Sequence, residues 1–233
     1  EKFDLSITEL VTTKIFEVSF SDNKQHDVAA IAFDPVDGDL HLFTKETTAI
    51  TGTDPHYCYV YKITSAEMLN DELNGVVSVT AKKDVTIGPI NWTTWINAGG
   101  ISAADISSDG RMIILRDTAE YNINDVAWTH HAKYWTRDIG ESVASALSKD
   151  PKSAKLPAVV DEPHGTGIAF DPDTNDYSYY TIGESITPTI YEFVGTSTTP
   201  GTLIITPATL KVSNDCGPCC CLLYTSDAAD DLT

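Results

Sequence analysis

Basic residues are scarce in this sequence: 15 lysines and arginines stand against 34 aspartates and glutamates, a formal net charge of −19. Binding to nucleic acid needs clustered Lys and Arg to neutralise phosphates, so a nucleic-acid partner is not expected. The acidity fits solubility, bound cations or secretion into salty media. Long apolar runs are also missing; nothing approaches the roughly 18 residues that a membrane-spanning helix requires. The chain starts at Glu1 with no charged-then-apolar leader, as a mature or truncated chain also would. Of the signature motifs of enzymes, the Gly-x-Ser-x-Gly elbow, the P-loop, the zinc-binding helix and the dinucleotide fingerprint are all absent.

Cysteine is rare outside one short window. Cys58 sits in the apolar run Tyr57-Cys58-Tyr59-Val60-Tyr61 and reads as a buried small hydrophobe. Cys216, Cys219, Cys220 and Cys221 crowd together near the C-terminus. Cys216-Gly-Pro-Cys219 matches a redox or zinc pair in spacing. It lacks both the strand-then-helix setting of the first and the second ligand pair of the second. From Cys221 the string Cys-Leu-Leu-Tyr-Thr-Ser-Asp-Ala-Ala-Asp-Asp-Leu resembles translated sequencing adapter. Residues 214–233 are therefore read as an artefactual or disordered tail, and residues 1–213 as the folded part.

What the sequence does contain is ordinary globular composition, 42% apolar and 21% charged, and an internal repeat. Ile-Ala-Phe-Asp-Pro occurs at Ile31 to Pro35 and again at Ile168 to Pro172. A third copy, Ala104-Asp-Ile-Ser-Ser-Asp-Gly110, lies between them, so that steps of 73 and 64 residues separate Ile31, Ala104 and Ile168. In each copy an apolar strand meets a turn rich in Asp, Pro, Gly or Asn, and a second apolar strand returns beside the first. Further strands are expected over Tyr57 to Ile63, Gly75 to Thr86 and Thr189 to Val194.

A hairpin followed by one or two more antiparallel strands, repeated radially, is the anatomy of a β-propeller blade. The expected fold is thus all-β, an antiparallel propeller represented by about three blades; closure takes at least about four. The steps exceed the roughly 40 to 50 residues of compact propeller repeats, which implies long connections. Two of these read as short helices. One covers Glu141 to Ser148 with an apolar face of Val143, Ala144 and Leu147, stopped by Pro151. The other covers Ala66 to Leu73. The alternative architecture is a β-sandwich, which rarely repeats a hairpin at this spacing.

These segments resemble a group of six-bladed-type propeller proteins related in pattern to phytase-like and esterase-like propellers. The resemblance runs from Phe16 to Phe193. It is carried by the hairpin at Asp27 to Lys45, by Ala103-Ala-Asp105-Ile-Ser-Ser-Asp109-Gly, by Leu115-Arg116 and by Gly140-Glu-Ser-Val143. Glu162-Pro-His-Gly165 with Ile168-Ala-Phe, and Tyr180-Thr-Ile-Gly-Glu184, complete it. Members of the group usually carry a further acidic N-terminal portion, so the resemblance implies a fragment. It also implies carboxylates on inner strands that face a central channel and hold calcium. Two acidic places of the pattern are filled here by Ala29 and Thr166, while Asp27, Asp105 and Glu162 remain. Calcium takes about six to eight oxygens, several of them carboxylate.

Two readings of function follow. The first is a binding or scaffold module for a small-molecule or protein ligand. The second is a Ca²⁺-dependent phosphoester or ester hydrolase with Asp27, Asp105 and Glu162 on the metal, and Arg116 and His164 toward the substrate. Asp105 itself reads either as a channel-facing ligand or as a carboxylate bonded to backbone or paired with Arg116. Asp161, Glu162 and His164 form either an acid/base cluster or a solvated loop. His130 and His131, being adjacent on a strand, face opposite sides. The acids in the turns, such as Asp34, Asp109 and Asp171, are explained by turn chemistry. The sequon Asn91-Trp92-Thr93 hints at an extracellular or secretory route.

Overall fold

The structure is a computed structural model; it describes residues 15–45, 58–70, 76–87, 98–119, 131–157, 165–172, 176–183, 189–195 and 205–210. The Tyr57, Asn91 to Thr93, His130, Asp161 to His164 and C-terminal cysteine positions lie outside these, as does the tail from 214. Within them each copy of the repeat opens a four-stranded antiparallel meander. The first blade is β2 (Val28–Phe33), β3 (Leu40–Thr44), β4 (Cys58–Ile63) and β5 (Val76–Ile87). The second is β6 (Ala98–Ile106), β7 (Met112–Ala119), β8 (Ala132–Thr136) and β9 (Lys152–Ala154). The third is β10 (Gly165–Phe170), β11 (Tyr179–Gly183), β12 (Ile190–Gly195) and β13 (Ile205–Leu210). A further strand, β1 (Ile15–Phe20), lies parallel to β5 on the outer edge of the first blade.

The first strands β2, β6 and β10 contact one another in series, β2 against β6 and β6 against β10. Consecutive meanders joined through their first strands are blades of a β-propeller, with those strands innermost. The repeated turns have one construction. The Asp34 N–H bonds to Asp39 O at 2.8 Å, Ser107 N–H to Met112 O at 2.9 Å and Asp171 N–H to Ser178 O at 2.8 Å. Gly38 and Gly110 close the first two turns at φ +73° and +69°, where a residue with a Cβ is disfavoured. Gly110 has a second constraint: a Cβ there would stand 2.3 Å from Val36 Cγ2, because the turn of the first blade lies over that of the second.

Both expected helices are present but short. α2 (Val143–Leu147) is capped by the Ser142 hydroxyl and buries Val143, Ala146 and Leu147, so Ala146 rather than Ala144 completes the apolar face. It packs between β5 and β8, and Trp135 Nε1–H donates to Lys149 O at 2.9 Å. The helix thereby fills the outer part of the wedge between blades one and two. α1 (Ser65–Met68) starts with a capping box between Thr64 and Glu67 and stops well before Leu73, at a turn formed by Leu69. Four strands escape the sequence reading altogether: β1, β8, β9 and β13. β8, β9 and β13 are short or lack a two-residue alternation of their own, whereas β1 alternates over Phe16, Val18 and Phe20 and was missed despite it.

Two apolar seams hold the blades together. In the first, Ala30, Phe43 and Val60 meet Ile106, Ile113 and Trp135. In the second, Met112, Ile114 and Tyr134 meet Ile168, Phe170 and Tyr179. Cys58 is buried in the first seam. A polar tie crosses the first seam as well. Arg137, which follows β8, puts Nη1 at 2.8 Å from both carboxylate oxygens of Asp34, and both side chains are buried. Nη2 reaches Asp37 at 3.2 Å, and Nε donates to Glu141 O. Asp34 also accepts from the Val36 N–H at 3.0 Å, so one carboxylate shapes its own turn and anchors the neighbouring blade.

Removing one partner of such a pair strands a buried charge, at a cost of about 3–5 kcal/mol. Asp34→Ala and Arg137→Ala are each expected to lose that much in urea unfolding. The double variant should lose clearly less than the sum. Additive losses would show that the two side chains do not act as a unit.

Candidate functional site

Every inner strand carries a β-bulge at the same repeat position. The register passes from Val28↔Thr44 to Ala30↔Phe43, from Ile101↔Asp117 to Ala103↔Arg116, and from Gly165↔Gly183 to Gly167↔Ile182. The extra residues are Ala29, Ser102 and Thr166. A bulged residue has no cross-strand partner, and the bulge re-aims side chains at the rim of a sheet. The three bulges lie at one end of the inner strands, where these strands begin. Among the described residues at that end are exposed Asp27, one residue before β2, and the pair Asp117 and His131.

Asp117 is buried near the end of β7, opposite Ile101. It accepts from the His131 backbone N–H and stands 3.2 Å from His131 Nδ1. The imidazole is partly exposed, with 26% of its side-chain surface accessible. A carboxylate beside Nδ1 fixes the orientation of the ring. The sequence offers no signal for this pairing, since the partner lies 14 residues back across the β7–β8 connection.

Asp105 is differently placed. It belongs one residue before the end of β6, and its counterpart in the first blade is Ala32, five residues on from Asp27. At roughly 3.3 Å per residue this is about 15 Å along the strand, so Asp27 and Asp105 belong to opposite ends of the inner strands. The Asp105 oxygens accept from the Ile106 N–H at 2.9 Å and from the Phe170 N–H at 2.7 Å. The second bond joins the inner strands of blades two and three. Burial raises the Asp105 carboxyl above the usual carboxylate range, opposed by these two N–H groups. Both carboxylate oxygens of Asp105 thus have backbone partners.

Arg116 does not pair with Asp105. Fully buried, it sends Nη1 across the second seam to Gly167 O at 3.2 Å. Glu162 and His164 lie outside the described residues. Among the described residues no group of three His, Cys, Asp or Glu side chains gathers as a metal-binding set. The turn acids are engaged locally or with the next blade. Asp109 accepts from Ser107 and from the Tyr177 hydroxyl at 2.7 Å, which ties the second turn to blade three.

His41 is a further buried ionisable group that the sequence did not single out, as Asp117 and Arg137 are. It lies on β3 opposite Ala32, 2% exposed, and its Nδ1 has no hydrogen-bond partner. Burial lowers its pKa below the ordinary 6.5, more than Asp84, Asp34 and Asp39 raise it, with Lys62 lowering it further.

The chain thus falls in the class of β-propeller proteins, on the strand order and register of its three sheets. No family model matches it, and no curated protein does. Among solved structures it is similar to the Saccharomyces cerevisiae protein Sqt1, at 9% identity and a TM-score of 0.44, over 86% of this chain and 40% of that one. The chain spans well under half the length of that structure, and the blade assignment rests on the topology rather than on so distant a likeness. No helix among the described residues is long and apolar enough to cross a membrane.

Two titrations follow with opposite sign. His41 is neutral in the fold and protonates more readily when unfolded, so its contribution is complete above pH ~6.5 and is lost as pH falls through the folded-state value. Replacing His41 with Leu should flatten the unfolding free energy between about pH 6.5 and 5; an unchanged slope would acquit this residue. Asp105, with its raised value, contributes most below about pH 3.8 and less as pH rises through the folded-state value. Asp105→Ala leaves two backbone N–H groups without their acceptor, at about 1–3 kcal/mol each. The loss measured by denaturant unfolding should be larger at pH 4 than at pH 8. A loss that is equal at both would remove the raised carboxyl from the account.

Proposed function

We propose that this chain acts as a propeller binding module and that its ligand is a basic protein segment received at the end where the inner strands begin. The observation that carries the reading is how the described acids inside and between the blades are used. Asp34 is held by Arg137, Asp105 by two backbone N–H groups, Asp109 by Ser107 and Tyr177, and Asp117 by His131. A hydrolase of the calcium type needs carboxylates that converge on one point, whereas these are spread among separate structural partners. The net charge of −19 supports a cationic partner, since a strongly acidic surface speeds the encounter with a basic one and repels acidic competitors.

The competing reading, calcium-dependent ester hydrolysis through Asp27, Asp105 and Glu162 with Arg116 and His164, is separated from this one by experiment. With a Lys- and Arg-rich peptide as probe, binding should weaken steeply as salt rises. It should also weaken several-fold in Asp27→Lys, while the melting temperature holds because Asp27 is exposed. Asp150→Lys makes the same charge change beside α2 and should leave binding near the unmodified level. Equal effects of the two variants would reduce the binding to bulk charge. A rise of several degrees in melting temperature with Ca²⁺, lost in Asp27→Asn and accompanied by cleavage of p-nitrophenyl phosphate, would replace the binding module with the hydrolase.

A further inference from the structure

The seam between blades one and two holds a polar ring with nothing to bond. His41 is 2% exposed, and its Nδ1 has no hydrogen-bond partner. The register sets it between Ala32 of β2 and Lys62 of β4, on the sheet face whose Ala32 and Phe43 pack against blade two. The charged groups nearest it are Asp34 and Asp39 of the turn, Lys62, and partly exposed Asp84 of β5. Asp34 is held by Arg137 of blade two and by the Val36 N–H. Asp39 accepts from the Ser65 N–H at 2.9 Å and lies 3.5 Å from Lys62 Nζ. Lys82, across from Lys62 on β5, is drawn instead to Glu67 at 3.1 Å. From blade two the cations are Arg137 and, behind it, Arg111, whose Nε donates to the Arg137 carbonyl at 2.8 Å. A neutral imidazole is tolerated in this setting. An imidazolium is not, because both of its N–H groups then need acceptors in a place closed to water.

We infer that the first seam is an acid-operated latch: on protonation the His41 ring draws Asp34 away from Arg137, and blade one parts from blade two while blades two and three stay joined. Asp34 is the carboxylate that matters, because its buried pair with Arg137 crosses this seam. Two cations on one carboxylate repel each other, and the repulsion is strong where water is excluded. The second seam has no such group. There the places of Ala32 and His41 are taken by Asp105 and Ile114, and the tie is the Phe170 N–H on Asp105. Burial favours the neutral ring in the closed seam, so protonation and closure oppose each other. Closure is therefore complete above pH ~6.5 and weakens as pH falls below it. The latch is independent of the proposed ligand.

The Cys58 thiol, buried in the same seam, reports on the latch with no substitution needed. The full chain is labelled with a pyridyl disulfide reagent between about pH 7.5 and about pH 5. The adduct is read on the Cys58 peptide by mass spectrometry and divided by labelling of the urea-unfolded chain at the same pH. Protection of Cys58 should fall by up to about tenfold per pH unit below pH ~6.5. Amide exchange of Phe170, the donor that ties the second seam, should stay constant once corrected for its intrinsic rate. His41→Gln and His41→Leu do not titrate, and whichever of them folds should keep Cys58 protected throughout. Protection that does not change with pH overturns the latch. So does a fall that survives in the His41 variants, and so does loss of Phe170 protection in step with Cys58, which is unfolding of the whole chain.

Discussion

The distance between adjacent inner strands is the constraint on which the rest of this fold depends. Small side chains at Ala30, Ala32 and Ala103 let the next blade's Ile106, Ile168 and Phe170 come close, and those larger groups supply most of the apolar surface removed from water near the axis. Once the strands are this near, polar groups of one blade reach the next. Asp105 can accept the Phe170 N–H, Arg116 can reach Gly167 O, and Asp34 can hold Arg137. With larger residues at the three alanines the blades would stand apart, and these polar groups would lose their partners in a setting too dry to replace them. Close packing is thus the condition for the polar bonds, and the polar bonds fix which blade lies beside which.

The same constraint explains how the outer parts are filled. Blades that touch near the axis diverge toward the rim, and α2 occupies that wedge between β5 and β8 with Val143, Ala146 and Leu147. On the far side of blade one, Phe20 packs on the cluster containing Leu42, Tyr61 and Val79. His26, from the connection between β1 and β2, stands 2.8 Å from the Tyr61 hydroxyl and 3.0 Å from Asp22. Phe20 meets His26 and Tyr61 edge-on with ring centroids 4.8 and 4.9 Å apart. The outer half of that face is therefore covered by local chain, while its inner half, at Ile31 and Phe33, is open.

The blades themselves were legible in the sequence because the repeat combines an apolar strand with a turn whose Asp, Pro and Gly have a mechanical purpose. Gly38 and Gly110 do occupy left-handed backbone, and Asp34 does cap its own turn. The outer strands β8, β9 and β13 were not legible, since a short strand specified by its neighbours needs no pattern of its own. The candidate site was read only in part. Asp105 stands out as a carboxylate in an apolar strand, but its acceptor role depends on the Phe170 N–H, 65 residues away, and no local pattern reveals that. His41 was hidden for the opposite reason: in Leu40-His41-Leu42 a two-residue alternation places it on one face and the leucines on the other, and the pattern does not say which face is the dry one.

Ala29, Ser102 and Thr166 have a consequence beyond their place in the register. The bulge takes each of them out of the ladder, although the Ser102 hydroxyl still donates to Arg116 O on the neighbouring strand at 3.4 Å. Exchanging the side chain at Ala29 or Thr166 alters what that end of the inner strands presents without breaking a ladder pair. These two positions behave as fittings on a fixed frame, where a change of side chain re-dresses the strand ends and leaves the ladder intact.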